Sequence, residues 1–258
     1  MGVVSKIATR ITRQRLVRLS LPALQQRLQD RGGVTGLCYH AVSADYPEYA
    51  YTTSPNAFGD HLEFLAETFE ILPLDVIVDL LLEGRTVDSG KPLAFLSFDD
   101  AYRNNLYTAT PILEKFGLHA TLFAPRDLVR GHNRTHMSEA ELKEIAAHAL
   151  WDLGGHSLTH NPLPALSPED IRHELAESQS WLEDLTGQSI TGFAYPLGAI
   201  SNTVVESARE IYGFAASTDR SLAPKFDPLQ IKRYCTVRSD DDLHTLAQSL
   251  LLGAHETG

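Results

Sequence analysis

Short apolar runs alternate with stretches of helical periodicity along nearly the whole chain, and that rhythm leaves few folds open. Residues 34–39, 93–98, 120–124, 151–154, 191–195, 213–217 and 231–237 each read as a buried strand. Between them, 57–69, 74–83, 105–116, 138–148, 168–185 and 201–211 read as helices. Phe58, Leu62, Leu65 and Phe69 mark one face of the first, and Ile171, Leu175, Ser178 and Leu182 one face of the fifth. Ser54 or Asn56 suits the cap of the first helix. Strands that alternate with helices predict parallel strands joined by helical crossovers. Six or seven such units favour a closed α/β barrel over an open sheet, and there is no internal repeat or low-complexity tract.

The 258 residues and 43% hydrophobic content suit one such domain with a sizeable core. A net charge of −11 argues against a nucleic-acid partner, which needs a basic face. The charge is uneven. Residues 1–31 carry seven basic side chains against Asp30, a net of +6 that leaves −17 for the rest. We divide the chain into this basic helical segment, 1–31, and a barrel domain, 32–258. The plain reading of the segment is a helix packed on the acidic body of the same protein. The alternative is a peripheral contact with an anionic membrane face. The N-terminus lacks an apolar core and cleavage site of the signal-peptide kind, and no run reaches the ~20 apolar residues of a membrane span. The expectation is a cytoplasmic protein, with the membrane face as the variant location. Cys38 and Cys235 sit in apolar strand-like runs and read as buried thiols, although sequence leaves a disulfide open.

Most groups capable of chemistry share one address, the C-terminal end of a predicted strand, where barrels build their active sites. His40 follows the first strand, Asp99-Asp100 the second, His156 and His160 the short strand at 151–154, and Tyr195-Pro-Leu-Gly198 the strand at 191–195. Adjacent carboxylates at a strand end point to opposite sides, so one can ligate a cation while the other faces a water beside it. The bland alternative is a helix N-cap with a second acid near the dipole. Two imidazoles and a carboxylate form the three-ligand set of catalytic zinc, with one position open. A His-x-x-x-His pair is more often two surface histidines, and His132 and His136 in a polar loop take that reading. His156 and His160 differ because Gly154-Gly155 and Asn161-Pro162 bracket them with turn residues.

Ser97-Phe-Asp-Asp-Ala101 resembles the Thr-Phe-Asp-Asp-Gly motif of NodB-like polysaccharide deacetylases, carbohydrate esterase family four. Gly155-His-Ser-Leu-Thr-His160 resembles that family's metal motif, and Phe193-Ala-Tyr-Pro-Leu-Gly198 its Arg-x-Pro-x-Gly motif. The likeness covers roughly 34–238. It implies a distorted (β/α)7 barrel and hydrolysis of N-acetyl groups on an amino-sugar polysaccharide, oligosaccharide or lipid-linked glycan. It implies one divalent ion, expected to be zinc, on Asp100, His156 and His160, with Asp99 as general base. The backbone N–H of Leu197 matches the oxyanion donor, and Tyr195 and Pro196 match the wall of the substrate groove. The stretch from Tyr39-His40 to Phe58 resembles members with a permuted motif order, in which an N-terminal histidine is the acid, so His40 takes that role.

Three departures qualify the match. Ala101 stands for the motif glycine, a mild change if the backbone there is not left-handed. Ala194 stands where an arginine normally tethers the base, so another cation must substitute. The C-terminal Leu-x-His motif is not evident, and His244 looks like a surface residue. Two rival readings follow: a non-catalytic sugar-binding relative, and a same-fold hydrolase of a linear or cyclic non-sugar amide.

Overall fold

The computed structural model describes residues 34–45, 49–85, 87–131, 134–218 and 226–236, with positions 243, 246, 247 and 250 beyond them. The basic segment 1–31, His132 and His244 lie outside the described residues. Seven parallel strands close into a barrel: β1 (Thr35–Tyr39), β5 (Leu93–Asp99), β6 (Ala120–Ala124), β7 (Trp151–Gly155), β8 (Gly192–Ala194), β9 (Phe214–Ser217) and β10 (Ile231–Cys235). Closure comes from β1, which pairs with β5 on one side and β10 on the other; Gly36 lies opposite Phe95 and Arg233. Three very short strands escaped the sequence reading because two residues carry no periodicity. β2 (Ala41–Val42) and β3 (Thr52–Thr53) pair with each other beyond the end of β1, and β4 (Glu70–Ile71) pairs with the start of β5.

Six helices lie close to their expected ranges, α1 (Pro55–Thr68), α2 (Leu74–Leu82), α3 (Thr110–Phe116), α5 (Glu139–Ala146), α6 (Pro168–Thr186) and α7 (Asn202–Arg209), and the short α4 (Arg126–Arg130) was not expected. Ser54 rather than Asn56 caps α1: its hydroxyl accepts from the Ala57 N–H, and Pro55 fills a first-turn position where no donor is needed. Asn105–Ala109 forms one wide π-type turn before α3.

Alternation along β5 sends its side chains to two cores. Ala94, Leu96 and Phe98 join Leu37, Tyr39, Leu122 and Leu153 in the larger core beneath the helices. Phe95 faces the lumen with Phe123, Ala194, Phe214, Ala216 and Ile231, and Leu74, Ile77 and Val78 of α2 close that smaller core. Ser97 and Asp99 share the face of Phe95 but stand nearer the C-terminal mouth. The lumen is therefore apolar at its base and polar at its mouth, where loops of different strands converge. Among the described residues no helix is long and apolar enough to cross a membrane.

Candidate active site

Asp99 is the last residue of β5, and it is buried. A bare carboxylate there would be costly to ionise. Arg233, on the inward face of β10, removes the cost. Its guanidinium donates from Nη1 to Oδ1 at 2.6 Å and from Nη2 to Oδ2 at 2.8 Å, and also from Nη1 to Ser97 Oγ at 3.0 Å. The guanidinium also lies 5.1 Å over the Phe123 ring. Burial alone would raise Asp99, but the charge and hydrogen bonds of Arg233, together with His156 and His40, more than offset it and hold the carboxyl below its ordinary range. The cation missing at Ala194 thus arrives from a different strand. Its sequence signal was present: within Ile231-Lys-Arg-Tyr-Cys235 an arginine occupies an inward, alternate position of a buried strand, where an unpaired charge does not belong.

The chain turns sharply after Asp99. Asp100 (φ 70°) and Ala101 (φ 51°) both adopt left-handed backbone. The condition for a mild change is not met, so the substitution for the motif glycine is a strained one and costs on the order of 1 kcal/mol. The turn swings Asp100 toward two histidines. His160 Nε2 lies 3.1 Å and His156 Nε2 3.5 Å from Asp100 Oδ1. Nδ1 of His156 lies 2.7 Å from the Ala194 carbonyl, which can only accept, so Nδ1 carries the proton and the Nε2 lone pair faces Asp100. Burial pushes Asp100 up; the facing histidines more than offset this and hold it well below the ordinary carboxylate range.

The loop carrying the histidines is held by a residue that sequence reasoning overlooked. Glu174, buried on α6, accepts from the N–H groups of Leu158 (2.8 Å) and Thr159 (3.0 Å) and from the Thr159 hydroxyl (2.9 Å). Ser157 Oγ accepts from the His160 N–H at 3.0 Å, and Ser157 and His160 both have positive φ. A carboxylate that satisfies three loop donors fixes an otherwise unfavourable backbone.

Asp100, His156 and His160 offer one ligand atom each, all within 4.8 Å of one another. Asp100 Oδ1 is buried without a hydrogen bond of good geometry, and the His156 tautomer presents a lone pair to the same spot. Neutral imidazoles with one carboxylate suit a divalent ion of the zinc type, so the residues fit the group.

The other expected site residues divide. His40 and Leu197 line the same pocket as Asp99, Asp100, His156 and His160, a cavity of about 370 Å³. Asn105, buried in the π-type turn, anchors the His40 backbone by donating to its carbonyl at 2.7 Å. The His40 ring stacks on Tyr51, with centroids 4.8 Å apart. Burial works against a charged His40, but Cys38 and the carboxylates of Asp99 and Asp100 beside it raise it above its ordinary range. Burial likewise raises the Cys38 thiol well above its own ordinary range. Leu197 has φ 57° and a side chain 68% exposed. Gly198 beside it cannot be replaced cheaply, because a Cβ would come within 2.0 Å of Thr218 Oγ1.

Tyr195 and Pro196 do not line the pocket. Both are buried, and the Tyr195 hydroxyl donates to the Leu229 carbonyl at 2.9 Å. Tyr195, expected at the groove wall, follows β8 with its ring in the outer core, and Tyr49, Tyr51, Leu197 and Tyr234 line the pocket. His136, expected at the surface, is half-buried against the Tyr102 ring at 4.6 Å. Burial lowers it, with Asp100 acting in the opposite direction.

The family model of polysaccharide deacetylase matches residues 86–214. The match covers Asp99, Asp100, His156, His160 and Leu197, and the chain belongs to the polysaccharide deacetylase family, whose NodB-type barrel it shares. It is 29% identical over 190 residues to YxkH of Bacillus subtilis (strain 168), covering 73% of this chain and 66% of that one. It is 28% identical over 157 residues to the poly-beta-1,6-N-acetyl-D-glucosamine N-deacetylase of Staphylococcus aureus (strain MSSA476), covering 55% of this chain and 54% of that one. The chain thus spans between half and two thirds of the length of these relatives. The deacetylase PplD of Streptococcus pyogenes, solved in complex with acetate, shares the fold with TM-score 0.72 at 21% identity, over 84% of this chain and 97% of that one.

Proposed function

We propose that this chain is a metal-dependent N-deacetylase of an amino-sugar polymer, oligosaccharide or lipid-linked glycan. The observation that carries the reading is the Asp99–Arg233 pair beside the Asp100, His156 and His160 cluster in one pocket. An ion on the cluster, with zinc the first candidate, would polarise the acetyl carbonyl and acidify an attacking water. Asp99, kept ionised and aimed by Arg233, takes the proton of that water. The Leu197 N–H serves as oxyanion donor, a contribution of ~3 kcal/mol for one donor of this kind. His40 gives a proton to the departing amine, a role suited to an imidazole whose neighbours favour its charged form. The Tyr51 ring, 38% exposed, offers a flat apolar face to a sugar ring.

The missing arginine at Ala194 was the motive for a non-catalytic relative, and Arg233 removes that motive. The Staphylococcus relative's name supports an N-acetylglucosamine polymer as substrate class. Acetate release from acetylated glucosamine oligomers, measured on wild type and Asp99→Asn, tests the proposal. We expect activity in wild type and none in the variant, with equal metal content. Equal rates would remove Asp99 as base; release only from linear or cyclic amides would favour the non-sugar hydrolase.

A further inference from the structure

Beside the three expected ligands lies a second group of metal-binding side chains. Cys38 on β1 and Cys235 on β10 are register partners on neighbouring parallel strands. His40 follows Cys38 by two residues, and so projects to the same side of the chain. The two Sγ atoms and a ring nitrogen of His40 all lie within 4.8 Å of one another. Both cysteines are free thiols. His40 Nδ1 is buried and makes no hydrogen bond of good geometry, a costly arrangement unless something else binds it. Asp99 adjoins both groups: its Oδ2 lies 3.4 Å from Cys38 Sγ and 3.9 Å from His156 Nε2.

We infer that Cys38, His40 and Cys235 form a second metal site, selective for a soft divalent ion of the zinc class. Two thiolates and an imidazole are a recognised zinc set with a fourth position open. Metal–sulfur bonds of ~2.3 Å and a metal–nitrogen bond of ~2.0 Å put tetrahedral ligands roughly 3.5–4 Å apart, so side-chain adjustments within about 1 Å close the site. On binding, each thiol gives its proton to water as its sulfur–metal bond forms. One divalent ion with two thiolates is then neutral, and the adjoining Asp99–Arg233 pair is neutral as well, so no net charge is left buried. Cys235 is half-buried and lines the pocket, which provides an entry path. A Cys38–Cys235 disulfide would use both sulfurs but leave the His40 nitrogen unpartnered.

The functional consequence rests on the reading of His40 as acid; the site itself does not. An ion on His40 removes the proton donor, so filling this site inhibits the enzyme that an ion on Asp100, His156 and His160 activates. The test uses the reduced, metal-free full chain titrated with cobalt(II) and zinc. Wild type is expected to bind two equivalents and to show a thiolate-to-cobalt charge-transfer band. Cys235→Ser should bind one and lose the band, whereas His160→Ala should lose the other ion and keep it. Zinc should also slow alkylation of Cys235 by iodoacetamide in the otherwise unaltered chain, a readout that needs no variant. A wild type without the band, a band that survives Cys235→Ser, or thiols already joined as a disulfide under reducing conditions would overturn the site. Retention of the band with no His160-dependent ion would instead sink the proposed deacetylase and leave this site standing.

Discussion

Arg233 shows how one side chain can decide whether a site works. It is fully buried, and Asp99 is its only charged partner among the described hydrogen bonds and ion pairs. Arg233→Ala leaves Asp99 buried and uncompensated, which costs ~3–5 kcal/mol when one member of such a pair is removed. We expect a drop in chemical-denaturation stability of that order and a loss of acetate release of about 10²-fold or more, since general-base catalysis is worth that much. Metal content should change little, because Arg233 touches none of the three ligands. Near-normal turnover in Arg233→Ala would refute its role in orienting Asp99. His40→Ala should likewise slow turnover by roughly 10²-fold. Tyr51→Ala should act differently: loss of an aromatic contact worth ~0.5–1.5 kcal/mol predicts KM rising about 2- to 10-fold with kcat nearly unchanged.

At the scale of elements, two carboxylates hold the loops that present the site. Glu174 ties the loop after β7 to α6 through three hydrogen bonds. Glu174→Gln keeps the size but loses an acceptor and the charge, and outer-shell changes of this kind weaken metal binding 10- to 100-fold. A metal titration with an unchanged affinity would show that the loop holds itself. Glu141 completes the capping box of α5, accepting from the Ser138 N–H and hydroxyl at 3.0 Å each, and it also accepts from Arg103 Nε (2.6 Å) and the Tyr107 hydroxyl (2.8 Å). Burial would raise this carboxyl, but those four donors bring it down to about 2. A depressed folded value means that its stabilisation is fully present above the ordinary carboxylate range and is lost as pH falls toward 2. Between about pH 5 and 2 the wild-type Tm should fall more steeply than that of Glu141→Gln; parallel curves would exclude the capping carboxylate as a source of acid sensitivity.

At the scale of the whole molecule, closure of the barrel depends on how near β1 can come to β10. At Gly36, a Cβ would meet the Lys232 carbonyl at 2.6 Å and the Phe95 ring at 2.5 Å. Gly36→Ala is therefore expected to cost ~1–3 kcal/mol through overpacking. It should also reduce the proposed acetate release, because the same seam aligns Arg233 with Asp99 and Cys235 with Cys38. Urea unfolding checks the first effect, and a midpoint equal to wild type would mean that the strands have room to spare.

The strand and helix rhythm, the placement of Asp99, Asp100, His156 and His160 at strand ends, and the likeness to a deacetylase family were all legible in the chain by itself. They depend on local periodicity and short motifs, which contiguous residues encode. An arginine on the buried face of the last strand was a legible anomaly, but its pairing with Asp99 was not, because Arg233 reaches it from 134 residues away. Nor was the wall of the pocket: Tyr195 sits in the right motif, but the strand turns its ring into the outer core, while Tyr49 and Tyr51 enter from a loop with no motif at all. The pairing of Cys38 with Cys235 likewise exists only because the first and last strands of a closed barrel are neighbours. Sequence determined which groups stand at the mouth of the barrel; the ring closure decided which of them touch, since contacts between distant strands are set by register rather than by the chain around either residue.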